Sequence, residues 1–352
     1  MSFRRALLLV LPWLSLASPA LWAQQTQPAT NPTRTWTLTG PNSWTPATQP
    51  SPTTQHVDNP LLDRADRLLA RRNPDAAHDL VLHWLNRHRS APDRDRGLFL
   101  LAESYYRKGD LMRSFYQLEE LLDLHADSKL FYPALEKQYE IADRYLRGYK
   151  NRFLWMPIIG GEDEAIDMLF RIQERVPGSP MAERALLRTA DYYYHKGQYD
   201  LAADAYAFYA RAFPRSPVIP RVKLRQAFAA LAQFRGRYYD MTPLIDARAQ
   251  LEGVQAAFPE MAEQEGIAPI VKRIDASMAD KLYWTGNFYR RTNDFRGAAY
   301  MFRYLISRYP DSPEAARAQQ RLDQLPKWAL NDPPPAPPSE KDEQIVIEPP
   351  PR

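Results

Sequence analysis

Residues 190–217 read ADYYYHKGQYDLAADAYAFYARAFPRSP, and the fold of the chain follows from the pattern in these residues. Apolar residues spaced three and four positions apart predict one helix that ends at Gly197 and a second that ends before Pro214. Ala190 and Ala202 are small, and they fall where the two helices must approach closely. The stretch therefore predicts a helical hairpin. The aromatic residues that fill its interior are Tyr193, Tyr194, Tyr199, Tyr206 and Tyr209.

The hairpin pattern recurs along the chain. Gly286 and Ala298 repeat the spacing of Ala190 and Ala202, and the residues around them follow the tetratricopeptide pattern Gly-x2-Tyr, Ala-x3-Phe, Pro. One hairpin cannot cover its own apolar face, so regular recurrence indicates a stack of hairpins. We predict an all-α, right-handed superhelical tetratricopeptide-repeat solenoid of about five to six helical hairpins. The other second helices align on Ala77, Ser114, Ala165 and Ala247.

Composition divides the chain into four segments. Residues 1–23 have two arginines, an apolar run and then small residues, as a secretory signal peptide does; an uncleaved membrane anchor is the alternative. Residues 24–58 are rich in Thr, Pro and Gln, and residues 327–352 are Pro-rich and acidic. Both segments are predicted to be disordered, because they bury too little apolar area to offset the entropy of ordering. The solenoid is expected at residues 59–326, with an apolar insertion at 147–161.

Cysteine usage and charge exclude several classes of site. The 352 residues include no cysteine, which excludes disulfides, thiolate metal sites and lipid attachment to an N-terminal cysteine. The net charge is only +4, and no Lys/Arg-rich run occurs. The sequence therefore gives no indication of nucleic-acid binding.

The sequence also favours a protein without enzymatic activity. It contains no His-Glu-x-x-His zinc motif, no Gly-x-Ser-x-Gly elbow and no phosphate-binding loop. Glu162, Asp163 and Glu164 fit the start of the helix that carries Ala165, where carboxylates complement the helix dipole. We expect no cofactor, no metal and no small-molecule substrate. The six histidines are interpreted as structural or solvent-facing: His56, His78, His83, His88, His125 and His195.

The insertion at residues 147–161 is the first candidate for a partner site. It is apolar, carries Pro157 as a kink, and is too short to span a bilayer. Aromatic and methionine side chains beside cations suit a protein interface or a membrane surface. The alternative is a loop folded back over the neighbouring hairpins. The candidate residues are Phe153, Trp155, Met156 and Ile158.

The concave surface of the solenoid is the second candidate. In a tetratricopeptide array the first helix of each hairpin lines this surface. Mixed aromatic and charged residues on it suit an extended peptide or a helix of a partner. The alternative is that some of them only cover the next repeat. The candidate residues are Phe99, Glu103, Tyr106, Arg184, Leu187, Asp191 and Tyr194.

Three stretches resemble one family. They are RVPGSPMAERALLRTADYYYHKGQYDLAADAY at 175–206, RGRYYDMTPLIDARAQLEGVQAAFP at 235–259 and RYPDSPEAARAQQRLDQL at 308–325. Together they resemble the BamD family of outer-membrane β-barrel assembly factors, and the resemblance covers about residues 60–325. In the second stretch, Thr242 is expected to cap a helix with Pro243 at its first position. The chain departs from the family in lacking the lipoprotein cysteine, and in having about six hairpins where the family usually has five.

The resemblance implies a non-enzymatic adaptor exported to the periplasm and associated with the outer membrane. Its partners would be proteins, namely the periplasmic domains of the β-barrel insertase or unfolded outer-membrane proteins. Membrane association is expected only through partners or through an uncleaved signal. The alternatives are a Tol–Pal or cell-wall coordinating scaffold, although a Pro/Thr-rich tether replaces the coiled coil usual there, and a non-catalytic scaffold subunit of an envelope enzyme.

Overall fold

The computed structural model describes residues 36–40, 43–46, 59–153 and 156–330. The predicted signal peptide at residues 1–23 lies outside these ranges, and so does the tail beyond residue 330. The described residues form fourteen α-helices, four short strands and one 3₁₀ turn.

Twelve of the helices pair as six successive antiparallel hairpins, which confirms the predicted all-α tetratricopeptide-repeat solenoid. Each second helix packs against the first helix of the next hairpin. The pairs are α1 (Pro60–Ala70) with α2 (Pro74–Arg87), α3 (Arg94–Lys108) with α4 (Leu111–Leu124), α5 (Phe131–Leu146) with α6 (Glu162–Arg175), α7 (Pro180–His195) with α8 (Tyr199–Ala212), α9 (Ile219–Ala232) with α10 (Thr242–Ala257), and α12 (Ile267–Arg291) with α13 (Phe295–Arg308). The short α11 (Pro259–Gln264) precedes the last hairpin, and α14 (Pro313–Asp323) covers its open face.

Small residues lie at the crossing of the two helices of a hairpin, as the sequence predicts. Ala190 and Ala202 are both completely buried, and so are the large rings of Tyr206 and Tyr209 on the same second helix. Burial of these rings supplies much of the apolar stabilisation of the hairpin. The equivalent small residues of the other hairpins are also buried: Ala65, Ala77, Ala102, Ser114, Ala165, Ala247 and Ala298.

Helix starts follow from local capping chemistry. The side chain of Ser179 accepts a hydrogen bond from the backbone N–H of Ala182, and Ser312 does the same for Ala315. In both cases a proline follows at the first helical position, where its missing N–H costs nothing. The expectation for Thr242 was one residue off, because this helix begins at Thr242 with Met241 at the cap.

The insertion between α5 and α6 forms an antiparallel β-hairpin of β3 (Lys150–Phe153) and β4 (Met156–Gly160). Its two ends are fixed on the solenoid. The Tyr149 hydroxyl donates to the Gly109 carbonyl at 2.6 Å. At Gly161, an added Cβ would lie 2.5 Å from a ring carbon of Tyr145, so only glycine fits there.

Two segments differ from the expectation, one in the predicted linker and one in the predicted tail. Within the predicted linker of residues 24–58, β1 (Trp36–Gly40) and β2 (Ser43–Pro46) pair antiparallel, and these strands belong to a separate unit. Alternating Thr and Trp favour strands, which a count of charges and aliphatic residues does not capture. In the predicted tail, a 3₁₀ turn (Lys327–Leu330) packs on α13 with Ala329 buried. The solenoid therefore extends to residue 330.

Candidate partner-binding groove

A groove of about 780 Å³ lies where the first helices of the first three hairpins meet. Two of the predicted residues, Phe99 and Glu103 on α3, line it. Its apolar walls come from α1, α3 and the loop before α5, which brings together residues that are distant in sequence. These residues are Leu69, Ala70, Phe99, Leu100 and Leu130.

Charged side chains surround the apolar wall of the groove and are mostly paired with each other. Arg96 on α3 binds Asp63 and Asp66 on α1, at 2.8 and 2.9 Å. Glu103 binds Arg107 at 2.7 Å and Lys137 at 3.3 Å. The polar lining is thus already organised before any partner arrives, which lowers the cost of binding.

Lys129 differs from the other cations of the groove. It lines the groove, it is exposed, and it has no ion-pair partner among the described residues. A free ammonium group above an apolar wall suits a peptide that carries a carboxylate next to an apolar side chain.

Tyr106 lies beside the groove, where α5 encloses its ring. Lys137 lies 4.3 Å above the ring centroid and Arg144 lies 4.9 Å from it. The hydroxyl donates to Glu140. Burial raises the pKa of Tyr106, and the hydrogen bond to the Glu140 carboxylate raises it further. Tyr106 therefore stays neutral and joins α3 to α5.

Of the four predicted residues of α7, two are at least partly exposed, and the other two make contacts with neighbouring helices. Arg184 is exposed, and its guanidinium lies 4.6 Å from the ring centroid of Tyr139; Leu187 is half-buried. Asp191 accepts hydrogen bonds from Tyr206 and Arg225. Tyr194 packs edge-on against the rings of Tyr199 and Tyr206. Asp191 and Tyr194 therefore contact the neighbouring helices.

The predicted residues of the insertion are placed only by their backbone. Phe153 ends β3, and Met156 and Ile158 belong to β4. Phe153 pairs with Met156 across the hairpin. Trp155 lies outside the described residues. The function of this segment as a docking patch stays a prediction.

The structure also shows an aromatic surface that the sequence does not predict. Tyr238, in the loop after α9, meets Trp284 of α12 edge-on at 5.3 Å, and Trp284 stacks on Phe288 at 6.1 Å. The only signal in the sequence was the spacing of Trp284 and Phe288, four residues apart on one helix face. Nothing in the sequence linked them to Tyr238.

The acidic run of α6 lies where it was predicted, in the first helical turn. Glu162 accepts hydrogen bonds from Tyr192 at 2.5 Å and from Lys196 at 2.7 Å. Burial and the adjacent Glu162 carboxylate raise the pKa of Tyr192.

The histidines occupy separate places. His88 stacks on Trp84 at 4.9 Å, and His78 meets Tyr105 edge-on. His56 lies outside the described residues. In the ranges that the structure describes, no three His, Asp or Glu side chains are grouped so that they could hold a metal ion.

Comparison with known proteins gives a family match over just under half of the chain. Residues 160–327 match the YfiO (BamD) family, described as "Outer membrane lipoprotein". The predicted family resemblance is confirmed over these residues, which run from α6 to the 3₁₀ turn. The match does not extend to the first two hairpins or to the groove. No curated protein matches the chain. No helix among the described residues is both long and apolar enough to cross a membrane.

Three solved structures of repeat proteins are similar over much of their length. The C-terminal part of a tetratricopeptide-repeat protein from Cytophaga hutchinsonii has 14% identity and a TM-score of 0.35, covering 73% of this chain and 86% of that one. A thermophilic tetratricopeptide-repeat protein of Thermus thermophilus has 16% identity and a TM-score of 0.27, with coverage of 61% and 97%. A tetratricopeptide-repeat protein from Parabacteroides merdae has 12% identity and a TM-score of 0.33, with coverage of 77% and 98%.

Proposed function

We propose that this protein is a non-enzymatic periplasmic adaptor that binds protein partners during the assembly of outer-membrane β-barrel proteins. The match of residues 160–327 to a family of outer-membrane lipoproteins supports the location. The resemblance of three sequence stretches to the BamD family supports the process. The signal-like sequence of residues 1–23 supports export. Since the chain has no cysteine, it would reach the outer membrane through a partner or an uncleaved signal.

The groove of the first three hairpins is the observation that carries this proposal. It has about 780 Å³ of space, apolar walls and a ring of charges that are already paired. These properties suit an extended segment of a partner, which would insert apolar side chains and place its polar backbone along the charged rim. The free ammonium group of Lys129 favours a segment with a carboxylate.

A photo-crosslinking residue in the full chain tests the proposal in living cells. Lys129, on the groove, is replaced by the photoreactive residue. The matched control carries it at Tyr116, which is 58% exposed on the second helix of the second hairpin. Both positions are accessible, so neither replacement should disturb folding. Circular dichroism spectra of the two variants check this.

The identity of the crosslinked protein decides the result. We expect position 129, and not position 116, to capture a component of the β-barrel insertase or an unfolded outer-membrane protein. Capture of a Tol–Pal component or a wall-synthesis enzyme at position 129 would replace the proposal with one of the alternatives. Equal capture at both positions, or none, would contradict a role for the groove.

A further inference from the structure

The first helix of the last repeat hairpin, α12, and the loop after α9 form a second surface, distinct from the groove. It is lined by Phe234, Arg237, Arg273, Ala276, Ser277 and Asp280, which surround a depression of about 380 Å³. The aromatic row of Tyr238, Trp284 and Phe288 lies next to it. Tyr238 is 61% exposed although its ring contacts Trp284. Trp284 and Phe288 are half-buried. A partly exposed row of aromatic rings is typical of a binding surface.

The surface is also rich in unpaired positive charge. Arg237 binds Asp280 at 3.3 Å, and its guanidinium lies 5.5 Å from the ring centroid of Tyr238. Arg273 and Arg291 lie seven residues before and eleven residues after Asp280, so they share its face of α12. Both arginines are exposed and have no ion-pair partner in the part of the chain that the structure describes. The surface therefore has aromatic rings flanked by two free cations.

Residues 331–352 of the same chain have the complementary chemistry. They read NDPPPAPPSEKDEQIVIEPPPR, with eight prolines and an excess of acidic over basic residues. Proline-rich segments dock in aromatic-lined grooves at low entropic cost, because polyproline II is already their preferred conformation. The acidic side chains would meet the arginines. Asp332, Glu340, Asp342, Glu343 and Glu348 are those side chains.

The described end of the chain brings this tail close to the surface. The ring of Trp328 lies 6.0 Å from that of Phe295, the first residue of α13. Trp284 lies seven residues before the end of α12, about 10 Å along the helix axis. A tail of 22 residues reaches about 60–70 Å in the polyproline II conformation. The tail is therefore much longer than the path requires.

We propose that the proline-rich acidic tail, residues 331–352, binds the aromatic and arginine surface that α12 and the loop after α9 form in the same molecule. The short connection gives the tail an effective concentration in the millimolar range, so a weak contact is sufficient for occupancy. An extended partner segment that approaches this end of the concave surface would have to displace the tail. This inference does not depend on the proposed function of the groove.

Paramagnetic relaxation in the full chain tests the proposal. Because the chain has no cysteine, Ser339→Cys provides one attachment site for a nitroxide label. The tryptophans are labelled with 15N, and the indole signal of Trp284 is assigned with Trp284→Phe. The indole of Trp84, in the first hairpin, is the internal reference. The matched control tail has the same length and label but carries Pro334→Ser, Pro337→Ser, Glu340→Ser, Asp342→Ser and Glu343→Ser.

We expect the Trp284 signal to lose most of its height with the native tail and to keep it with the serine tail. Tyr238→Ala and Arg273→Gln, both at exposed positions, should each restore the signal, and so should high salt. Equal broadening with both tails would show that the covalent connection alone brings the label near Trp284. This result would overturn the proposal. Absence of broadening, or broadening that Tyr238→Ala leaves unchanged, would do the same. Broadening between separately labelled chains in a mixed sample would assign the tail to a second copy and also overturn it.

Discussion

The guanidinium of Arg188 on α7 donates to the carboxylate of Asp143 on α5 at 2.6 Å, and so joins the first helices of two successive hairpins. The same polarity, acidic residue first and basic residue second, recurs along the solenoid. Most of the linked residues lie 33 or 34 positions apart, and the insertion lengthens the Asp143–Arg188 separation to 45. The other pairs are Asp63–Arg96, Glu103–Lys137 and Asp191–Arg225. Ion pairs between successive first helices therefore recur with the repeat, as the apolar contacts do.

The Asp143–Arg188 pair is expected to stabilise the stack of hairpins. Both side chains are mostly buried, with 16% and 22% exposed. A double-mutant cycle of Asp143→Ala and Arg188→Ala should give a coupling energy of about 1–2 kcal/mol in urea unfolding. The exposed pair Arg113–Asp110 is the control and should give about 0.2–0.5 kcal/mol. A coupling energy no larger than that of the control would contradict a structural role for the recurring ion pairs.

Gly286 is expected to tolerate no side chain. A Cβ there would lie 2.6 Å from Cε1 of Phe302, which is completely buried at the crossing of α12 and α13. Gly286→Ala should therefore lower the free energy of unfolding by about 1–3 kcal/mol, because the core is already full. Chemical denaturation measures this directly.

Gly253 provides the matched control for the same substitution. It lies in α10, it is exposed, and no atom lies within 4 Å of the position of its Cβ. Gly253→Ala should raise stability by about 0.5–1 kcal/mol, since alanine loses less backbone entropy in a helix. Phe302→Leu should partly rescue Gly286→Ala. A stabilising effect of Gly286→Ala alone would refute the assigned packing.

Alkaline pH is expected to destabilise the solenoid through its buried tyrosines. Burial raises the pKa of Tyr309 to about 12, from the ordinary value of 10.0. Between these values the unfolded chain has lost the proton and the folded chain keeps it. The stabilisation is therefore complete below about pH 10 and is lost as the pH rises through 12, by about 1.4 kcal/mol for each pH unit and tyrosine. Burial also raises the pKa values of Tyr206 and Tyr209, which adds to the slope.

Tyr309→Phe isolates the contribution of one tyrosine to the loss of stability at alkaline pH. The hydroxyl donates only to the sulfur of Met278, at 3.4 Å, among the hydrogen bonds of the described residues, so the variant should nearly match the parent at neutral pH. At about pH 11 it should be the more stable of the two in urea unfolding. Identical slopes of stability against pH for both proteins would contradict the raised pKa.

The sequence predicts the solenoid well because each hairpin obeys a local rule. Ala190 and Ala202 lie at a fixed spacing, and the same spacing places small residues at the other helix crossings. The pattern predicts Phe99 and Glu103 on the concave surface for the same reason, since one helix sets their common face. No periodic pattern predicts Lys129, because the loop before α5 contributes it to a groove that other helices line.

Contacts across long separations set the limit of prediction. Tyr238 and Trp284 meet only after the loop that follows α9 folds against α12, and no periodicity encodes that contact. The backbone of this loop is held by Lys281, a buried lysine that donates to the Tyr239 carbonyl. Composition places Trp328 in the proline-rich tail. Its turn has only four residues, which are too few for a periodic pattern that would predict it.

The revised end of the solenoid leads to a last prediction. Ala329 is buried with 1% of its surface exposed, and the carbonyl of Leu330 accepts a hydrogen bond from Arg303 at 2.6 Å. Ala329→Asp would place a carboxylate in this apolar contact and should lower the free energy of unfolding by about 2–4 kcal/mol. Lys327→Asp, two residues earlier at an exposed position, is the control and should change it by less than about 0.5 kcal/mol. Equal and small effects of the two substitutions would return the boundary to residue 326.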